Sequence, residues 1–144
     1  MTTTVPACAL CDTDGGDVIV RNDQFRVVLV DDARYPGFCR VIWNAHAAEF
    51  TDFLPGDRSR LMMAVCQVET VLRQVMVPHK INLAALGNLV PHVHWHVIPR
   101  YLDDAHFPAP VWAEAVSVPA PSSLAARVAL LPALRSALVQ AVSA

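Results

Sequence analysis

His92-Val93-His94-Trp95-His96-Val97-Ile98 alternates polar and apolar side chains. Successive side chains of a β-strand point to opposite faces, so this alternation predicts a strand over residues 92–98. It places the three imidazoles on one face and Val93, Trp95 and Val97 in the core. Working upstream, Gly87-Asn88 reads as a turn and residues 81–86 as a buried strand. Pro78 must end whatever helix precedes it. Leu61, Val65, Val68, Val71, Leu72 and Val75 form an apolar stripe near the helical repeat, with Asp57 as the expected N-cap. A shorter helix is expected to begin near Ala47, ahead of the break at Pro55-Gly56. Residues 39–43 read as a strand, and residues 31–37 as a loop containing Tyr35-Pro36-Gly37. Residues 18–20 and 25–30 read as two further strands joined by the turn Arg21-Asn22-Asp23. Strands meandering around one long crossover helix define an α+β fold with an antiparallel sheet.

Beyond Glu114 the composition changes. Val118-Pro119-Ala120-Pro121-Ser122-Ser123 is linker-like, and residues 124–142 are rich in Ala, Leu and Val at helical spacing. The chain therefore divides into residues 1–114, the domain that carries the histidine strand, and residues 115–144, a linker with a C-terminal helical extension. Pro132 is expected to kink that helix. The helix is expected to pack on the body or on a partner subunit, with a disordered tail as the alternative.

With 144 residues, 54% of them hydrophobic and 17% charged, one domain with a substantial core is expected. The net charge of -2 argues against binding nucleic acid through its phosphate backbone. No apolar run approaches the roughly 18 residues of a membrane span, so no membrane partner is expected. The segment Met1-Thr2-Thr3-Thr4-Val5-Pro6 has neither a basic region nor an apolar stretch, so a cytoplasmic protein is expected. There, Cys8, Cys11, Cys39 and Cys66 should be thiols or metal ligands. Cys39 and Cys66 lie in apolar runs and read as core residues. His79 reads as a surface residue at a helix end. His106 and Trp112 lie in a segment that can cover the active site of its own or a partner subunit.

Three of the six histidines crowd the one short segment. A single metal ion bound by all three is disfavoured. Residues four apart on a strand are separated by about 13 Å at Cα, whereas zinc–nitrogen bonds are only about 2 Å. A nucleophilic histidine flanked by helpers fits better: neutral imidazole is a good nucleophile near neutral pH, and its neighbours can position phosphate and donate a proton. The remaining alternative is a polar face of a sheet.

The stretch Gly87-Asn88-Leu89-Val90-Pro91-His92-Val93-His94-Trp95-His96-Val97-Ile98-Pro99-Arg100 resembles the signature of the histidine triad (HIT) superfamily. The stretch Tyr35-Pro36-Gly37-Phe38-Cys39-Arg40-Val41-Ile42, with His46, resembles its second block. The resemblance covers roughly residues 8–112. It implies a HIT-like α+β fold, a homodimer whose sheet continues across two subunits, and small nucleotide substrates.

By this resemblance His94 attacks a phosphorus atom of a nucleoside phosphate derivative. A covalent nucleotidyl-histidine forms, and water or another acceptor resolves it. His96 is implied to assist the leaving group, and His92 to contact phosphate or serve a metal. Asn88 stands where the family often has glutamine and is a candidate phosphate contact. Asp31 is a candidate ribose ligand, with loop capping as the alternative. Arg100 is a candidate phosphate contact, with a surface ion pair as the alternative. The resemblance thus implies a hydrolase of dinucleoside polyphosphates or nucleoside phosphoramidates. A nucleotidyl transferase and a nucleotide-binding scaffold with little turnover are the alternatives. Phe38, Asn88 and Leu89 depart from the pattern, replacing a common histidine, a glutamine and a serine or threonine.

Cys8-Ala9-Leu10-Cys11 has the C-x-x-C spacing of many structural zinc sites, but a lone pair needs two further ligands. The alternative is a pair of reduced thiols. Similarity to some bacterial HIT proteins and to galactose-1-phosphate uridylyltransferases implies His46 and His92 as those ligands. A structural zinc is then expected, with no organic cofactor.

Overall fold

The computed structural model describes residues 7–142; the N-terminal stretch read above for a leader, residues 1–6, lies outside the described residues. Five strands build one antiparallel sheet: β1 (Asp17–Arg21), β2 (Phe25–Leu29), β3 (Cys39–Trp43), β4 (Lys80–Ala84) and β5 (His94–Arg100). Their order across the sheet is β1-β2-β3-β5-β4. The β1–β2 turn is held by the Asn22 side chain, whose Oδ1 accepts from the backbone N–H of Gln24 and Phe25 at 2.9 and 2.8 Å. Between β3 and β4 runs the long helix α2 (Pro55–Met76), after a short helix α1 (Ala9–Asp12) at the start. The expected α+β architecture is thus present, crossover helix included.

Alternation along each strand sorts the side chains. Val27, Val41 and Val97 face α2 and are fully buried with its Leu61, Val65, Val68 and Leu72. Burying side chains of this kind is worth about 1.5–3 kcal/mol each. Arg26, Arg40, His94, His96 and Arg100 alternate with them and fall on the opposite face. The helices therefore occupy one side of the sheet, and the polar chemistry collects on the other.

Several boundaries differ from the sequence expectations. β5 begins at His94, not His92. α2 starts at Pro55, whose preset φ and missing N–H suit a first helical position; Asp57 then lies inside the first turn instead of capping it. No α-helix starts near Ala47; a single 3-10 turn (Phe50–Asp52) stands there, closed by reciprocal bonds between Glu49 and Asp52. α2 stops at Val77, which takes a left-handed φ of 46° ahead of Pro78. Cys66 lies off the apolar stripe of α2 and is exposed, whereas Cys39 is buried.

The C-terminal extension forms two helices, α3 (Pro121–Val128) and α4 (Leu131–Val142). The break precedes Pro132, which sits in the first turn of α4, where its missing N–H is harmless. By length and composition the segment Pro121–Val142 is apolar enough to cross a membrane, with mean hydropathy 1.3. This corrects the expectation that no such run exists. In the fold it is bent, and Leu134, Leu138 and Val142 join the α2 core.

Candidate active site and metal cluster

His94 and His96 are two residues apart on β5 and share the helix-free face. Arg40 of β3 is paired directly opposite His96, and Ala84 of β4 flanks it on the other side. Arg40, His94 and His96 line a cavity of about 770 Å³. Its walls come from α1 and the turn after it (Leu10, Thr13, Gly15), the loop 86–90, and Trp112. Gly15 carries a φ of 78° and touches Leu10 and Ile42 so closely that a Cβ would lie 2.6 and 2.8 Å from them. No side chain fits there, so glycine is required for the turn to seat on the sheet.

The His94 ring is oriented by a hydrogen bond from Nδ1 to the His92 carbonyl, 2.6 Å. That fixes the proton on Nδ1 and leaves the Nε2 lone pair on a ring that lines the cavity. Burial pushes the His94 pKa below its usual value, and Arg40 adds to the push. His96 is packed on three sides, by Phe38, His94 and Trp112 at ring separations of 5.6, 4.9 and 5.1 Å. Burial, with His94 and Arg40, lowers its pKa to about 4. At neutral pH both imidazoles are therefore uncharged.

His92 does not share that face. It precedes β5 and is buried, with Nε2 donating to the Trp43 carbonyl at 2.6 Å. Its Nδ1 lies 3.5 Å from Sγ of both Cys8 and Cys11, and Cys11 Sγ is 3.4 Å from Nδ1 of His46. The ligand atoms of Cys8, Cys11, His46 and His92 all lie within 4.8 Å of one another. The donor set suits a tetrahedral ion. The bond to Trp43 holds the His92 proton on Nε2, so the Nδ1 lone pair is the one presented to the cluster. The three histidines, expected on one strand face, thus divide into one member of the candidate metal cluster, the alternative the resemblance offered for His92, and two members of the cavity wall.

The other candidates separate too. Asn88 is exposed at the cavity wall. Leu89 also lines it, at 97% exposure, and offers no polar atom. Asp31 lies outside the cavity, in a groove with Val128, Leu131 and Arg135 near the C-terminal helices. Arg100, expected at the phosphate or on the surface, is buried and lies outside the cavity lining. Its donors go to both oxygens of Asp104, to Asn82 Oδ1 and to the Ala109 carbonyl. The reason is position: four residues past His96 on the same face, it runs under the loop that follows β5. Asp104 organises that loop, accepting also from the backbone N–H of Tyr101, His106 and Phe107. Burial alone would raise the Asp104 pKa, but these donors hold it at about 2. The loop delivers Trp112 to the cavity, while His106 packs behind, stacked on Tyr35. Of the two residues read as a possible cover, only Trp112 reaches the site.

Two residues had no role in the sequence reading. Arg26 donates to the carbonyls of Leu10, Thr13 and Asp14 and to Asn44, and so pins α1 and its turn to the sheet. Arg40 donates to the Gly15 carbonyl at 2.9 Å. The only signal in the sequence was an arginine at alternate positions within otherwise apolar strands.

Comparison with known proteins places this geometry. Residues 14–103 match the model of the HIT domain family. A histidine triad protein from Bradyrhizobium japonicum superposes with a TM-score of 0.72 at 28% identity, covering 90% of this chain and 92% of that one. A zinc-bound histidine triad family protein from Mycobacterium smegmatis shares the fold, with a TM-score of 0.61 at 20% identity over 97% and 96% of the two chains. In sequence, an AP-4-A phosphorylase of Mycobacterium tuberculosis is 30% identical over 98 residues, which is 64% of this chain. The chain spans about half the length of the curated relatives it matches, 50% in that case. The chain belongs to the HIT domain family.

Proposed function

We propose that the chain is a hydrolase of nucleoside phosphate derivatives, with dinucleoside polyphosphates and nucleoside phosphoramidates as the substrate classes. The observation that carries this is the tautomer of His94, whose Nδ1–H is committed to the His92 carbonyl while Nε2 keeps its lone pair. Nε2 attacks the α-phosphorus: a P–N bond forms and the bond to the leaving group breaks. Neutral His96 hydrogen-bonds the departing atom through its N–H, and the leaving group takes its proton from solvent or from that donor. Water then attacks the phosphorus, the P–N bond breaks, and a nucleoside monophosphate departs. Asn88, exposed at the wall, contacts a phosphate oxygen. Asp31 serves the ribose only if substrate extends outside the cavity, and Arg100 supports the loop instead of the phosphate.

Transfer to an acceptor other than water is the second reading. It is favoured by the likeness to an AP-4-A phosphorylase, a protein whose name states that phosphate is its acceptor. Incubation with an adenylylated substrate is expected to label His94 in either case, and products formed with and without inorganic phosphate separate the two. His94→Ala should lose turnover by more than about a thousandfold. Binding of AMP with no label, and no loss in His94→Ala, would leave only a scaffold role.

We also propose that Cys8, Cys11, His46 and His92 hold a structural zinc. The zinc-bound relative and the set of two thiols and two imidazoles support it. Its chemistry would be to bind two thiolates and two imidazoles and so tie the N-terminal arm to the residues before β5. A homodimer and a cytoplasmic location complete the proposal. β4 is the edge strand available to continue the sheet, since α4 packs against β1 at the other edge.

A further inference from the structure

Four arginines, Arg21, Arg26, Arg40 and Arg100, lie on the helix-free face of the sheet, and they are treated differently. Arg21 is paired with Asp14. Arg26 is saturated by three carbonyls and Asn44. Arg100 is paired with Asp104 and further satisfied by Asn82 and Ala109. Both are structural residues with their donors spent. Arg40 is not. Among the described residues its one hydrogen bond goes from Nη1 to the Gly15 carbonyl, its Nε is buried without a partner, and no carboxylate lies within ion-pair distance of it.

A half-buried guanidinium without a counter-charge is costly to keep and is expected only where an anion repays the cost. Among the described residues, Arg40 is also the one permanent cation lining the cavity. It stands directly opposite His96 in the β3–β5 ladder and beside the Phe38 ring, 5.9 Å from its centroid. The only acid among the described lining residues, Asp14, is already paired with Arg21.

We infer that Arg40 is the anion-binding residue of the cavity, holding non-bridging oxygens of the phosphoryl group presented to His94. Gly15 fixes one end of the guanidinium, so the fork is pre-aimed, and a planar fork matches two phosphate oxygens as an ammonium cannot. The charge also bears on the chemical step, because negative charge on the phosphoryl oxygens repels a nucleophile until a cation neutralises it. The inference rests on the nucleotide reading for the identity of the ligand, and on the cavity alone for the presence of an anion site.

The test uses tripolyphosphate, a polyanion with no base or sugar, and adenosine, a nucleoside with no phosphate, each titrated calorimetrically into the full chain. Wild type is expected to bind tripolyphosphate. Arg40→Met should weaken that affinity on the order of tenfold to a hundredfold, the worth of a charge-assisted hydrogen bond or two. Arg40→Lys should fall between, and any adenosine affinity should be unchanged in both. Failure of wild type to bind tripolyphosphate, or equal affinity in Arg40→Met, overturns the inference. A second readout on wild type avoids any folding defect of the variants: phenylglyoxal modification of Arg40, mapped by mass spectrometry, should be suppressed by tripolyphosphate. Unprotected modification also overturns it. The two readings fail separately. Arg40-dependent tripolyphosphate binding without label on His94 keeps the anion site and removes the nucleotidyl mechanism. Label on His94 with Arg40→Met unchanged does the reverse.

Discussion

His96 enters the folded protein as a neutral imidazole. Its ordinary pKa near 6.5 applies to the unfolded chain, and burial holds it at about 4 in the fold. Between those two values the unfolded chain binds a proton that the folded chain refuses. Stability is therefore undiminished above about 6.5 and falls as pH drops toward 4, by at most about 1.4 kcal/mol per pH unit. The check is a pair of thermal melts at pH 7 and pH 5 for wild type and His96→Asn. The loss of Tm between the two pH values should be smaller in the variant. An equal loss in both would mean that His96 is not the group concerned. At this scale the sequence was informative about His94 and His96, because a strand period of two is visible in seven residues. It was uninformative about Arg40, whose partner His96 is 56 positions away and is reached only through the pairing register. For His92 the alternation misplaced only the face, since a change of direction just before β5 leaves no mark on it; its place beside Cys8, Cys11 and His46 came from the resemblance.

Among the elements, α1 has the largest task for its size. Four residues long, it carries Cys11 on its body and Cys8 at its N-cap, while Ala9 and Leu10 form cavity wall. The candidate metal cluster and the cavity thus lie against one turn of helix. So short a helix has no stability of its own. Arg26 holds it in place, and the proposed zinc would add to that. Cys8→Ser is therefore expected to abolish stoichiometric zinc in protein purified without added metal, and to lower the Tm by several degrees. It should also raise KM more than it lowers kcat, since His94 and His96 sit on β5 and stay oriented. Metal analysis, melts and kinetics on one preparation decide. Wild type without zinc, or full zinc in the variant, ends the proposal. The C-x-x-C spacing was legible, as was α2 through its apolar stripe. The helix expected near Ala47 was not there, because the chain must instead carry His46 back to the cluster and present the Ala47 carbonyl to accept from Val93 N–H.

At the scale of the whole molecule, the sheet is covered by helices on one face and open on the other, with one edge shielded by α4 and one edge, β4, free. Leu83 on that edge, and Leu86, Leu89 and Trp112 at the cavity, are exposed apolar side chains. The proposed dimer uses this edge. Light scattering after gel filtration should give twice the chain mass at micromolar concentration, and Leu83→Lys should shift it toward the monomer. A monomeric wild type refutes the proposal. The α+β class was legible from the order of strand and helix patterns. The division at residue 114 was legible only as a change of composition. Packing was not, and Leu134, Leu138 and Val142 prove to share the core of the preceding domain. The β3–β5 ladder carries one more consequence. Arg40 faces His96 because each occupies an even step from its neighbours on its own strand. An insertion of one residue inside either strand would exchange Arg40 for an apolar neighbour, or the imidazoles for Trp95 and Val97, without removing a single residue from the gene product. Insertions in the connections at residues 31–37 or 86–91 leave that parity untouched. Relatives of this chain can therefore lengthen their loops freely, while the two central strands must keep their count.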